Sequence, residues 1–279
     1  MPSANKKATS ANKKVGKRGP KDSSPPSPFS YRLDAQGVGW LTLQSKPTNS
    51  LTVEMLRGIN RCLRDRIAAA DQKVLVIQSG LRKVFSSATP FPDPDSGALE
   101  SFLVEFHETL RLLRSIDQPT IALVQDGCFG SGWELVLACD LVVASDRASF
   151  SFPEISRGLF PPAGTVLLPT RCGPQVALDL ILTGRTIQAK QALQAGLVAR
   201  VLSYSKFGQQ SKSLLKEFSR NSMSSMRFAK RSLREGLEQT DEDGLHNAES
   251  IYLESLLKTP DATEGIQAWL EKRPPKWDY

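Results

Sequence analysis

The chain has 279 residues, 40% of them apolar, with 36 Lys or Arg against 29 Asp or Glu. That is enough for one sizeable core, or a core with a smaller appendage. No apolar run approaches the roughly 20 residues needed to cross a bilayer, no signal-peptide core follows Met1, and four scattered cysteines with two histidines argue against a metal centre or a disulfide framework.

The net charge of +7 belongs to one segment. Residues 1–28 hold seven Lys or Arg and one acid, Asp22, which leaves 29 bases against 28 acids elsewhere. The same segment repeats "SANKK" and ends in "SSPPSP". With almost nothing apolar it cannot offset the entropy of ordering, so it reads as a disordered basic tail. A solvated tail, a nuclear-import element and an anion-binding element are all compatible with it. Nucleic acid would be a partner only through this tail, because the rest of the chain is close to neutral.

From residue 31 strands alternate with helices. "YRLDAQGVGWLTLQS" alternates and turns at Gly37, which predicts a hairpin. Residues 52–70 read helical, and "KVLVIQS" (73–79) reads as a strand buried on both faces. Leu99, Phe102, Phe106, Leu110 and Leu113 keep helical spacing, followed by the strand "TIALVQ" (120–125), a helix from about Trp133 and the strand "LVVAS" (141–145). This order predicts an α/β fold with a mostly parallel sheet. Beyond residue 205 the pattern is helical, over about 206–219, 222–238, 243–257 and 261–272. In the third of these, Leu245, Ala248, Tyr252 and Leu256 keep the spacing of a buried stripe. The domain reading is therefore a tail (1–28), an α/β core (29–204) and a helical C-terminal region (205–279) suited to a lid or to assembly.

Two segments carry candidate chemistry. In "GSGWELVLACD" (130–140) glycines mark a strand-to-helix switch, and Glu134 follows in the helix's first turn. Unpaired amides and the helix dipole at such a turn can hold a developing oxyanion. Equally, Glu134 can be a dipole-matching acid, with the glycines serving only tight packing. In "SFSFPEISRGLFPPAG" (149–164) Glu154 follows Pro153 at the end of a strand-like run. The intervening elements leave room to bring both acids to one end of the sheet. Two carboxyls sharing an apolar pocket push their pKa values apart, so that one acts as base and the other as acid.

The run "PTIALVQDGCFGSGWELVLACDLVVASDRASFSFPEISRGLFP" resembles the central signature of the crotonase superfamily, the enoyl-CoA hydratase/isomerase family. "LILTGRTIQAKQALQAGLVARVL" (180–202) and "TEGIQAWLEKRPPKW" (263–277) resemble its following segment and its C-terminal helix. The resemblance runs from about residue 30 to the end. It implies a spiral of ββα units with a helical C-terminal trimerisation region, a homotrimer or hexamer, and an acyl-CoA thioester as substrate. Coenzyme A comes with the substrate and no further cofactor or metal is implied. Glu134 and Glu154 fall on the hydratases' two catalytic glutamates, and many relatives with other chemistry lack one or both. The oxyanion-hole amides fall on Ser131 and Thr89, and substrate contacts on Ser87, Ala88 and Lys272, the last facing the CoA phosphates. Read without the resemblance, Lys272 is an exposed lysine at a helix C-terminus.

Three departures stand out. Ser131 takes the place of a family glycine. The loop "FSSATPFP" (85–92) lacks the family's glycine and aspartate, and "LFPPAGTVLLP" after Glu154 is a residue short, as in the ring-diene-CoA hydratases. The resemblance thus implies a hydratase-type lyase first. Isomerisation, cyclic dienoyl-CoA hydration and thioester hydrolysis stand as alternatives, and a non-catalytic scaffold or RNA-associated protein as one of another class. The expected location leans to the cytoplasm.

Overall fold

The computed structural model describes residues 27–87, 97–237 and 239–277. The basic tail lies almost wholly outside them, as do Ala88 and Thr89. Strands β1 (Phe29–Leu33) and β2 (Val38–Leu43) form an antiparallel hairpin through Gly37, whose φ of +77° suits glycine. Pairing begins before β1, since Ser27 and Pro28 offer carbonyls to the side chain and backbone of Gln44. Helix α1 (Val53–Ala69) starts where the Thr52 hydroxyl accepts the Met55 N–H, a cap contributing about 1 kcal/mol.

Three ββα units follow. The first is β3 (Val74–Ser79), β4 (Val84–Ser86) and α2 (Ala98–Ser115). The second is β5 (Thr120–Val124), β6 (Gly127–Phe129) and α3 (Ser131–Leu137). The third is β7 (Leu141–Ser145), β8 (Ser149–Ser151), a 3-10 turn (Pro153–Arg157) and α4 (Gly164–Leu167) with α5 (Pro169–Thr183). The chain continues through β9 (Ile187–Gln188), α6 (Ala189–Gln194), β10 (Arg200–Leu202) and α7 (Phe207–Ser219).

Each unit sends its first strand to one sheet and its second to another. The larger sheet runs β1-β2-β3-β5-β7-β10 and is parallel beyond the hairpin; the smaller runs β4-β6-β8-β9. The elements read from the sequence predict one mostly parallel sheet, because three-residue strands such as β4 and β6 are too short to show a period and the strand-like run at β8 does not reveal its partners. Alternation along the larger sheet serves two cores. Leu41, Leu75, Ile77, Ala122 and Val142 face the main core with α1, α2 and α3, while Trp40, Val76, Ile121 and Val143 pack beneath Phe207, Leu214 and Leu215 of α7. Such burial is worth roughly 1.5–3 kcal/mol per large aliphatic side chain.

Helices α8 (Met223–Gly236), α9 (Asp241–Ser250) and α10 (Pro260–Leu270) complete the chain, with a π turn (Ile251–Ser255) and a 3-10 turn (Leu256–Lys258) between the last two. The helix expected over 243–257 is therefore broken. Its stripe is also not buried within the chain: Leu245 is 68% and Tyr252 54% exposed. Spacing reports that a stripe exists, not what covers it. No helix among the described residues is long and apolar enough to cross a membrane.

Candidate active site

The site forms where the short strands of the second sheet end. β6 lies between β4 and β8, all parallel, so Ser86, Phe129 and Ser151 finish side by side. Ligands gather at such carboxyl ends. The chain leaves β6 through Gly130, whose φ of 54° and ψ of −129° lie where side chains are not tolerated. The Gly130 N–H donates to the Ser151 carbonyl at 3.0 Å, which fixes the turn to β8. Helix α3 then begins at Ser131, two residues earlier than its apolar spacing suggests.

Gly132 answers to close approach. A Cβ there would lie 2.5 Å from the Ser86 Cβ, so only glycine lets the end of β4 touch the first turn of α3. The chain leaving β4 through Ser87 is thereby brought beside Ser131. Ser87 is held by its own contacts: its N–H donates to the Thr48 carbonyl, and its hydroxyl meets those of Thr48 and Ser50. Asn49, fully buried at φ +52°, donates from Nδ2 to the Phe85 carbonyl and the Ser79 hydroxyl, while its own carbonyl accepts from Ser86. Sequence reading missed Asn49; an asparagine in a loop gives no signal that it holds two strands.

All seven residues of α3 are buried. An apolar helix so placed is expected, but Glu134 is buried with it, at 4% exposure. Its Oε1 accepts the Gly164 N–H at 2.8 Å, from the start of α4. Burial is the main force on its carboxyl and pushes the pKa up to about 7; the Gly164 bond opposes this and the nearby Glu154 charge adds to it. Glu154 sits on the 3-10 turn behind Pro153 and is 7% exposed. Its pKa is also raised by burial, against its own amide and Arg157. Its buried Oε2 has no hydrogen-bond partner among the described residues. A buried carboxylate oxygen left in this way needs a reason, and a reacting partner is one.

An aromatic stack joins the two supports. Trp133, next to Glu134, lies at 4.4 Å from Phe152, two residues before Glu154, with their planes 20° apart. Both acids and Ser131 line one cavity of about 150 Å³, walled by Phe102 and Leu103 of α2 and by Leu159–Pro162. Two carboxyls with raised pKa values in an apolar cavity can hold one proton and accept another near neutral pH. A substrate between them can thus gain and lose protons without solvent. Ser87 and Lys272 are not on the cavity wall, and Lys272 is exposed just past α10 at φ +55°. Among the described residues no three His, Cys, Asp or Glu side chains gather as a metal ion requires.

The far end of α3 is braced from other elements. Arg171 of α5 donates to the carbonyls of Leu137, Cys139 and Asp140. The Asp140 carboxylate accepts from the Thr120 backbone and hydroxyl and pairs with Lys230 at 2.7 Å and Arg234 at 2.8 Å, both on α8. Sequence reading did not single out these residues.

Residues 34–279 match the family model for enoyl-CoA hydratase/isomerase. A probable enoyl-CoA hydratase of Mycobacterium leprae is 33% identical over 247 residues, covering 88% of this chain and 95% of the relative. A cyclohexa-1,5-dienecarbonyl-CoA hydratase of Thauera aromatica is 31% identical, covering 90% and 97%. Among solved structures, an enoyl-CoA hydratase from Bacillus anthracis superposes with a TM-score of 0.84 at 26% identity, covering 90% and 98%.

Proposed function

Because the chain belongs to the enoyl-CoA hydratase/isomerase family, we propose that it is a hydratase-type lyase adding water across the double bond of a 2-enoyl-CoA thioester. The observation that carries this reading is the pair Glu134 and Glu154, both buried, both raised in pKa, and both on one apolar cavity at the start of α3. In this reaction the water oxygen bonds to C3 and a proton reaches C2. Glu134 and Glu154 share the removal of the water proton and the delivery of the other. Charge that develops on the thioester oxygen would meet the backbone amides of Ser131 and, by the family resemblance, Thr89. Residue 131 can be serine because the donor is backbone. Coenzyme A enters with the substrate, and this chemistry needs no other cofactor.

The test is incubation with crotonyl-CoA and identification of the product. 3-Hydroxybutyryl-CoA is expected; a shifted double bond or free CoA would instead favour isomerisation or thioester hydrolysis. No turnover of any enoyl thioester would favour a scaffold or RNA-associated role.

A second reading, hydration of a cyclic dienoyl-CoA, is favoured by the shortened segment after Glu154 and by the Thauera relative. It keeps the same two acids and is separated by assaying a cyclic diene thioester beside crotonyl-CoA.

Residues 29–204 would form the catalytic core and 205–279 the assembly region of a homotrimer or hexamer. The exposed Leu233, Leu245, Tyr252 and Leu253 support that reading. Lys272 would meet the CoA phosphates as a point charge, so Lys272→Ala should raise KM severalfold and spare kcat.

A further inference from the structure

Glu134 is tied to a residue at the opposite end of its helix. Its carboxyl accepts the Gly164 N–H at 2.8 Å, from the first residue of α4. At the far end of α3, Arg171 donates from Nη2 to the Leu137 carbonyl at 2.9 Å and to the Cys139 carbonyl, and from Nη1 to the Asp140 carbonyl at 3.4 Å. Gly164 and Arg171 belong to one stretch of chain. Leu168, between α4 and α5, has helical dihedrals (φ −67°, ψ −45°). Its N–H bonds back to the Gly164 carbonyl, and the Arg171 and Cys172 N–H groups bond back to its own. Residues 164–172 are therefore one helical run, which ends where Gly173 turns to φ +76° and ψ 161°. From Gly164 to Arg171 such a run rises about 10 Å, the length of α3 itself. It packs along α3 with Leu167 and Leu168 in the main core, a splint fastened to that helix at both ends.

The fastening at Arg171 is specific for physical reasons. The last carbonyls of a helix lack intrahelical partners and favour a cation. A guanidinium presents its donors in a fixed plane, so it meets all three carbonyls only when α5 stands at one position along α3. An ammonium on a flexible stem imposes no such position. Around Arg171 the charged and titratable groups are Cys139 and Asp140 at the end of α3, Arg114 of α2 and Arg234 of α8, with Lys230 of α8 paired to Asp140. Around Glu134 they are Glu154 and, beside that acid, Arg157. The forces on the Glu134 carboxyl are burial, the Gly164 amide, the Glu154 charge and the Ala163 amide; among the described residues no group at the Arg171 end is one of them. Arg171 thus reaches Glu134 by position and not by its field.

We infer that Arg171 is a positioning residue for Glu134: by fixing the run 164–172 along α3, its guanidinium sets where the Gly164 amide meets the carboxyl. The inference adds a residue to the paired-carboxyl reading, and only the rate part of its test rests on that reading. Without the fork the run can slide and the Gly164 bond lengthens. Burial, which raises the pKa of Glu134, is then opposed less, and the carboxyl holds its proton to higher pH.

The experiment uses the full-length protein. Infrared titration reads the protonation of Glu134, identified as the step absent from Glu134→Gln, and parallel assays follow crotonyl-CoA hydration. Arg171→Lys keeps the charge and loses the fork; Arg171→Met loses both. In each, the Glu134 titration should move up by at least about 0.5 pH unit, kcat should fall by about tenfold or more, and KM should change by less than about twofold. Val166→Gly combined with Thr170→Gly changes two exposed positions of the run and touches neither fastening. Glycine loosens the run, so the titration should move the same way by less. A purely structural arginine would lower stability to urea and leave the titration in place. That result in Arg171→Lys, or in the glycine pair where Arg171→Lys does not fold, would overturn the inference. If the titration moves but the parent does not hydrate crotonyl-CoA, the positioning role stands and the hydratase reading falls.

Discussion

Helix α3 and helices α8 and α9 use their apolar residues in opposite ways. Every residue of α3 is buried by its own chain; in α8 and α9 none is. A helix enclosed on all sides desolvates whatever polar group it carries, and so Glu134 holds its proton up to about pH 7. A helix with leucines outside can do no such chemistry, but it has surface to share. Apolar side chains thus enclose a carboxyl in one place and stand open to solvent in the other. The difference is set by the second sheet, which closes over α3 and has no counterpart over α8.

If α3 is the reacting element, the largest effect comes from its acid. Glu134→Gln and Glu154→Gln should each lower kcat for enoyl-CoA hydration by at least about 100-fold while circular dichroism stays unchanged. A near-parent rate in either variant removes the paired-carboxyl mechanism.

Burial of that acid also has a stability signature. The folded pKa of Glu134 lies above the ordinary carboxyl value of 4.5, so the folded state holds the proton more tightly. Its contribution is whole below about pH 4.5 and is lost as pH rises through 7. Glutamine carries no such loss. The stability of Glu134→Gln relative to the parent should therefore rise by about 1–3 kcal/mol between pH 5 and pH 8, measured by urea unfolding. A difference that does not change with pH would mean that Glu134 titrates as an exposed acid does.

The contact face is probed by charge. Light scattering at micromolar concentration should show the parent as a trimer or hexamer, and Leu245→Asp with Leu253→Asp as a smaller species. Unfolding stability of the separated chain should move by no more than about 0.5 kcal/mol, because neither side chain is covered within it. A monomeric parent would end the assembly reading. The smallest effect belongs outside both regions: removing residues 1–26 should change kcat/KM by less than about twofold and leave the melting temperature in place, since apart from Met1 only Val15 there is an apolar residue larger than alanine or proline. A marked fall in melting temperature would show that the tail docks.

Long elements were legible in the sequence because they repeat. The α2 stripe of Phe102, Phe106, Leu110 and Leu113 and the apolar run of β3 are periodic over enough residues to be read, and both fall where expected. β4, β6 and β8 have three residues each, too few alternations to read reliably; only the run holding β8 looked strand-like, so the second sheet was not legible as a sheet. That Glu134 and Glu154 could meet followed from counting elements between them. That Gly132 must be glycine did not, because its reason is Ser86, 46 positions earlier at the end of β4. The Gly164 amide on Glu134 was hidden for the same reason: a backbone donor leaves no trace in residue type. The Leu245 stripe was visible, but its exposure depends on tertiary packing and not on spacing.

The ion cluster at Asp140 has a consequence in time. Asp140 is made 94 residues before Arg234, its partner from α8. At about 5–20 residues per second, translation leaves that carboxylate waiting roughly 5–20 s for its second cation. During the wait Thr120 is already made and Arg171 follows within 31 residues, so the end of α3 is braced early, whereas the ion cluster at Asp140 is completed only once α8 has been made.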